Sequence, residues 1–111
     1  MTDPLITAEV RAVMDRLEAR DAGDREDGTP HKERLRAVRP EVGRFLHALA
    51  LASDACCIVE CGTSGGYSTL WLATAARANG GQVVTFEIDD SKVTLATEGF
   101  AEAGVFDPLL Q

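Results

Sequence analysis

The sequence predicts an α/β fold: N-terminal helices followed by a β-α-β-α unit whose two strands run parallel. Three observations predict it. Apolar residues recur at helical spacing in several segments, two short apolar runs at 55–59 and 83–86 each lead into a glutamate, and one helix-length segment separates those runs. A strand, crossover helix and strand of this length almost always form a right-handed parallel unit, so both strand ends deliver their loops to one edge of the sheet.

Over residues 7 to about 22, Val10, Val13, Met14 and Leu17 mark an amphipathic helix, with Thr7 as N-cap and Glu9 in its first turn. Residues 21–36 are charged and broken by Gly23, Gly28 and Pro30, which reads as a mobile connector. Pro40 suits the first turn of a second helix, whose apolar stripe is Val42, Phe45, Leu46 and Leu49, ending near Ala52. Ala55-Cys56-Cys57-Ile58-Val59 is a continuous apolar run of the kind found in a parallel strand covered on both faces, and it stops at Glu60. A turn at residues 62–66 opens a helix carrying Tyr67, Leu70, Trp71, Thr74, Ala75 and Ala78, which Gly80-Gly81 terminates. Val83 to Phe86 form the second strand, before Glu87. Asp89 caps a last helix with Val93, Ala96, Phe100 and Ala103 on its inner face and Gly104 as its stop. The expected division is residues 1–39 as N-terminal helix and connector, and 40–111 as a partial ligand-binding domain.

One hundred and eleven residues suit a single domain. The formal net charge of -7 repels phosphate backbones and anionic lipid, which argues against nucleic acid and membrane as partners and for a small molecule. The start Met1-Thr2-Asp3-Pro4 has no basic segment, and the run from Phe45 to Ala52 is too short to span a bilayer, so a cytoplasmic location is expected. Cys56, Cys57 and Cys61 fit neither a disulfide framework nor zinc spacing and read as buried reduced thiols. His31 and His47 have no partner at catalytic spacing and read as solvated or satisfied core residues, while Trp71 and Phe45 read as core.

The topology places Glu60, the loop Gly62-Thr63-Ser64-Gly65-Gly66 and Glu87 at one crevice. Glycines let backbone approach a ligand closely, and the following helix points N–H groups and positive dipole at it. A carboxylate ending the second strand can accept from both hydroxyls of a ribose, the position of Glu87. An acid directly before the loop, as Glu60 is, would repel a pyrophosphate but welcome an ammonium. The dinucleotide fingerprint fails at Ser64 and Tyr67, and no P-loop lysine follows. A ligand with ribose, carboxylate and ammonium but no phosphate is S-adenosylmethionine (SAM).

At these residues the chain resembles a known family. The run Ile58-Val59-Glu60-Cys61-Gly62-Thr63-Ser64-Gly65-Gly66-Tyr67-Ser68-Thr69-Leu70-Trp71-Leu72-Ala73, followed by Thr85-Phe86-Glu87-Ile88-Asp89, is similar to the class I SAM-dependent O-methyltransferases of the catechol and caffeoyl-CoA type, in their N-terminal part. Pro40-Glu41-Val42-Gly43-Arg44-Phe45-Leu46 and Phe100-Ala101-Glu102-Ala103-Gly104 extend the likeness to about the last two thirds of the chain. The resemblance implies a Rossmann-like methyltransferase fold with SAM as cofactor. It implies Glu60 and Gly62 at the methionine part, Tyr67 and Ser68 at the same end, Glu87 on the ribose, and Thr63, Ser64 and Gly66 in the cofactor-binding loop. Gly99 stands where the family commonly has Asn.

After Gly104 the resemblance implies a third strand, an acidic position at the adenine, carboxylates for a divalent metal in many full-length relatives, and a lysine base; no such ligands follow in this chain. The last six residues lack the charged entry and β-branched run of a strand, and Pro108 removes a ladder donor, so the expectation is two strands only and a shortened or frameshifted product. The expected function is the cofactor-binding half of a small-molecule O-methyltransferase, with no catalytic residues of its own and a homodimer or a complementing chain as possible partner. The alternatives are a non-catalytic interaction module, recruiting a partner through exposed strand edges, and a decayed product that does not fold stably.

Overall fold

The computed structural model describes residues 4–105 and 108–110. Helix α1 (Ala8–Glu26) starts where its cap predicts, the Thr7 hydroxyl accepting from the Val10 N–H at 3.2 Å. It buries Val10, Val13, Met14 and Leu17 and packs against α3 (Tyr67–Ala78) and α4 (Asp90–Ala103). The helix runs a turn further than its sequence suggests, and the segment after it is not a mobile connector. Asp21 accepts the Ala37 N–H at 2.9 Å and Asp24 accepts the Leu35 N–H at 2.8 Å. Two carboxylates one turn apart on α1 thus supply the hydrogen bonds a charged strap cannot make by itself, and Leu35 is fully buried beneath it.

Helix α2 (Pro40–Ala52) has the expected bounds but the opposite face inward. Gly43, His47 and Ala50 are buried, while Val42, Phe45 and Leu49 are exposed. Close approach to α3 decides this: a Cβ at Gly43 would lie 2.3 Å from Nε1 of Trp71, so α2 presents its small residues there. The expectation that Phe45 is core is therefore overturned, whereas Trp71 is buried, edge-on to Tyr67 at 6.5 Å and to His47 at 5.6 Å between ring centroids. His47 is buried in the core, with Nδ1 2.9 Å from the Trp71 carbonyl oxygen, and His31 is exposed.

Strands β1 (Cys57–Cys61) and β2 (Gln82–Phe86) pair in parallel, with Glu60 opposite Thr85 and Cys61 opposite Phe86. Helix α3 links them and packs on both. Asp89 caps α4 by accepting the Ser91 N–H at 2.9 Å, and Gly104 ends it in the left-handed region at φ 69°. Within α4, Gly99 faces Val13 of α1, where a Cβ would make ordinary contact at 3.4 Å. The expectation of only two strands is corrected: β3 (Leu109–Leu110) pairs in parallel with Val84 and Thr85, giving the order β1-β2-β3. Pro108 lacks its N–H, but it precedes the paired residues and so costs the ladder nothing. Phe106, Asp107 and Gln111 lie outside the described residues.

The sheet is covered on one face. Ile58, Glu60, Val83 and Thr85 turn inward, Val83 and Thr85 fully buried, while Cys57, Val59, Cys61 and Phe86 are exposed on the other. This corrects two expectations: β1 is not doubly covered, and all three cysteines are exposed rather than buried. Among the described residues no helix is long and apolar enough to cross a membrane.

Candidate cofactor site

The loop leaving β1 prolongs the ladder by two bonds, the Gly62 and Thr63 N–H groups both donating to the Phe86 carbonyl, at 2.8 and 3.0 Å. It then turns through left-handed backbone at Gly62 (φ 88°), Ser64 (φ 50°) and Gly66 (φ 90°). Glycine suits such angles at no steric cost, whereas Ser64 needs support. Its N–H donates to Oε1 of Glu87 at 2.6 Å and its hydroxyl to the Leu35 carbonyl. The turn closes with the Gly66 N–H on the Thr63 carbonyl at 2.9 Å, and α3 begins with no side-chain cap, leaving the positive end of its dipole at the loop.

Glu87 sits just past β2. Its second oxygen accepts the Ile88 and Asp89 N–H groups, each at 3.1 Å. Three backbone donors fix the carboxylate and leave acceptor capacity on Oε1, since a carboxylate has about four lone-pair sites. Glu87, Gly62 and Ser64 line one cavity of about 310 Å³ together with Leu35, Arg36 and Lys92. The strap forms its wall. Leu35 lies so close over the loop that a Cβ at Gly65 would stand 2.5 Å from its Cδ1, so any side chain at residue 65 would have to displace Leu35.

Glu60 is elsewhere. Its carboxylate accepts from Ser68 at 2.5 Å, from Thr85 at 2.7 Å and from the Thr69 hydroxyl, and Thr85 is in turn 2.6 Å from the Thr63 hydroxyl. The expectation that Glu60 and Glu87 open onto one crevice is not met among the described residues. Position along the strands explains why: Glu60 lies within β1 on the inward face, opposite Thr85, and meets the first turn of α3, whereas Glu87 lies past the end of β2. Glu60 instead holds the loop from below, through Thr85 to Thr63 and through Ser68 and Thr69 to the helix start.

Tyr67 also points away from the cavity. It is buried, and its hydroxyl donates to Glu18 of α1 at 2.7 Å, a carboxylate that Arg11 pairs as well. Burial, reinforced by the neighbouring Glu18 charge, pushes its phenol up to about 12 from the usual 10. A raised phenol pKa favours the neutral form in the fold, so this stabilisation is complete below pH 10 and is lost as pH climbs from 10 toward 12. Titrating stability by circular dichroism should therefore show a decline over that alkaline window, and Tyr67→Phe should flatten it; an equal decline in the variant would refute the assignment.

Sequence reasoning missed Leu35, Arg36 and Lys92. Leu35 carried a signal, as the single large apolar residue in a charged run; Arg36 and Lys92 carried none that separates them from surface cations. Among the described residues no cluster of His, Cys, Asp and Glu could hold a metal ion.

With this geometry in place, the comparisons with known proteins agree. Residues 59–107 match the family described as methyltransferase domain. The catechol O-methyltransferase of Niastella koreensis is 39% identical over 69 residues, 62% of this chain and 31% of that protein. The O-methyltransferase of Bacillus cereus, solved in complex with SAH, is 30% identical with a TM-score of 0.72, over 90% of this chain and 42% of the other. The O-methyltransferase TomG of Streptomyces achromogenes, involved in tomaymycin synthesis and solved with SAM, is 34% identical with a TM-score of 0.68, over 88% and 42%. Fold and loop thus define a Rossmann-like methyltransferase domain. Within that class the chain is similar to O-methyltransferases, and it spans less than half the length of these relatives.

Proposed function

We propose that this chain is the SAM-binding portion of a cytoplasmic O-methyltransferase acting on a small molecule. The observation that carries the reading is the cavity where Glu87, fixed by three N–H groups, faces a loop of left-handed glycines under the strap. Glu87 accepts from the ribose hydroxyls. The backbone of Gly62, Thr63, Ser64 and Gly66 allows close approach, and the uncapped start of α3, with Ser68 in its first turn, faces the polar end of the methionine part. Glu60 and Tyr67 act as positioning residues: Glu60 sets the loop and Ser68 from beneath, and Tyr67 ties α3 to α1 through Glu18. When bound, the cofactor supplies an electrophilic methyl group on a sulfonium. The neighbouring protein, not these residues, must place an acceptor oxygen within roughly 3–3.5 Å of that methyl carbon.

Titrating SAM into the purified chain by calorimetry tests the reading. Saturable heat with a single site is expected. A chain that is folded by circular dichroism and gives no heat would refute it.

A further inference from the structure

A second cavity, of about 730 Å³, opens on the helical layer between the start of α1, the later part of α2 and Trp71 of α3. It is more than twice the size of the cofactor cavity and shares no lining residue with it. Helix α1 reaches the strap through Asp21 and Asp24 near its far end, whereas this cavity lies against its first turn, roughly 20 Å back along the helix at 1.5 Å per residue. The two sites are separate. Ile6 and Leu51 give the cavity apolar wall, backed by the buried rings of Trp71 and His47. Its charge is one-sided. Although the chain carries a formal net charge of -7, no Asp or Glu lines this cavity, while Arg11 and Arg44 both do and the start of α1 adds the positive end of its dipole. The Arg11 guanidinium carbon stands 6.0 Å from the centroid of the Trp71 ring, but Asp15 and Glu18 already share that group. Arg44 is exposed and makes no ion pair among the described residues.

We infer that this cavity is a binding site for a small apolar monocarboxylate. A concave, mostly apolar hollow with a few placed polar groups is the usual form of a small-molecule site, and here the placed groups are cationic. One guanidinium without an internal partner calls for one negative charge, and a carboxylate meets the planar fork of Arg44 with two parallel hydrogen bonds. Its apolar body then settles against Ile6, Leu51 and the indole, releasing water from surface that faces solvent in the empty cavity. A cation is opposed by both arginines. A neutral apolar molecule gains the wall but not the charge. The inference goes beyond the cofactor reading and does not require that SAM binds.

Trp71 is the one tryptophan in the sequence, so its fluorescence reports occupancy of the cavity directly. The probe is 4-phenylbutanoate, titrated into the chain beside 4-phenylbutan-1-ol and 4-phenylbutylamine, which keep the body and change the charge. Saturation by the carboxylate at about 1 mM or below is expected, in keeping with the affinity that about a dozen non-hydrogen atoms can reach, with the alcohol and the amine at least about tenfold weaker. Arg44→Gln should weaken the carboxylate about tenfold by removing the charge-assisted pair. Ala48→Glu, one helical turn on from Arg44, supplies an internal carboxylate and should abolish binding. Both positions are exposed, so both variants keep the circular dichroism spectrum of the parent. The inference is overturned if the parent shows no saturable change, if the alcohol binds as tightly as the carboxylate, or if Arg44→Gln stays within about threefold of the parent. It is overturned as well if the parent runs as a dimer in size exclusion and Ala48→Glu as a monomer, which would give the cavity to a second copy of the chain.

Discussion

Glu87→Ala is expected to weaken SAM binding about 100-fold, read by calorimetry. The ribose would lose an ionised acceptor, and a hydrogen bond to a charged group contributes roughly 1.5–3 kcal/mol, against about 1.4 kcal/mol for each tenfold in affinity. The variant also releases the N–H groups of Ser64, Ile88 and Asp89 from their shared acceptor, so the loop loses the bond that supports left-handed backbone at Ser64. Glu87→Gln removes the charge and keeps one acceptor oxygen, which can hold the Ile88 and Asp89 N–H groups while its NH2 group replaces the acceptor of the Ser64 N–H, so an intermediate loss of about tenfold is expected. If Glu87→Ala binds within about threefold of the parent, the ribose assignment is wrong whatever else the cavity does.

What the sequence made legible follows from local chemistry. Thr7, Asp89 and Gly104 bound their helices because cap hydrogen bonds and left-handed backbone are decided within a few residues. The order of strands and helices, and Glu87 at the loop, follow from the handedness of a crossover unit. What was not legible depended on which surfaces meet. Nothing in the periodicity of α2 tells that Gly43 rather than Phe45 faces inward, because the choice belongs to the indole of Trp71 on another helix. The strap at residues 27–39 looks unable to order itself, and it is tied down by Asp21 and Asp24 from α1 and by the Ser64 hydroxyl from the loop, pairings across more than ten residues. Glu60 reads as half of a ligand clamp because both acids end strands at one sheet edge. Their position along the strands separates them: Glu60 lies within β1 opposite Thr85 and holds the loop from below, while Glu87 lies past the end of β2. The cysteines read as buried because their apolar run suits a doubly covered strand, whereas among the described residues β1 is covered on one face only.

That same register makes Gly81 the position where a single methyl group should cost most. A Cβ there would lie 2.0 Å from the Cys56 carbonyl oxygen and 2.3 Å from its Cα, and because both atoms are backbone, no side-chain rotation relieves the clash. The displaced carbonyl is the one that accepts the Gln82 N–H at 2.8 Å and so opens the β1–β2 ladder, while the Gly81 N–H is itself held by the Ala76 carbonyl at 2.7 Å. Neither partner can retreat without breaking a bond. Gly81→Ala is therefore expected to destabilise the domain by about 3 kcal/mol, which for a domain of this size lowers Tm by roughly 10–20 °C. Thermal unfolding followed by circular dichroism checks it, and a Tm within about 2 °C of the parent would show that the strands do not meet at this spacing. The consequence reaches the site, since the ladder that begins at Gln82 sets Glu60 opposite Thr85 and brings the Phe86 carbonyl under Gly62 and Thr63. A shift at its start would move the floor of the loop away from Glu87, so ligand binding should fail in this variant at temperatures where its helices are still formed.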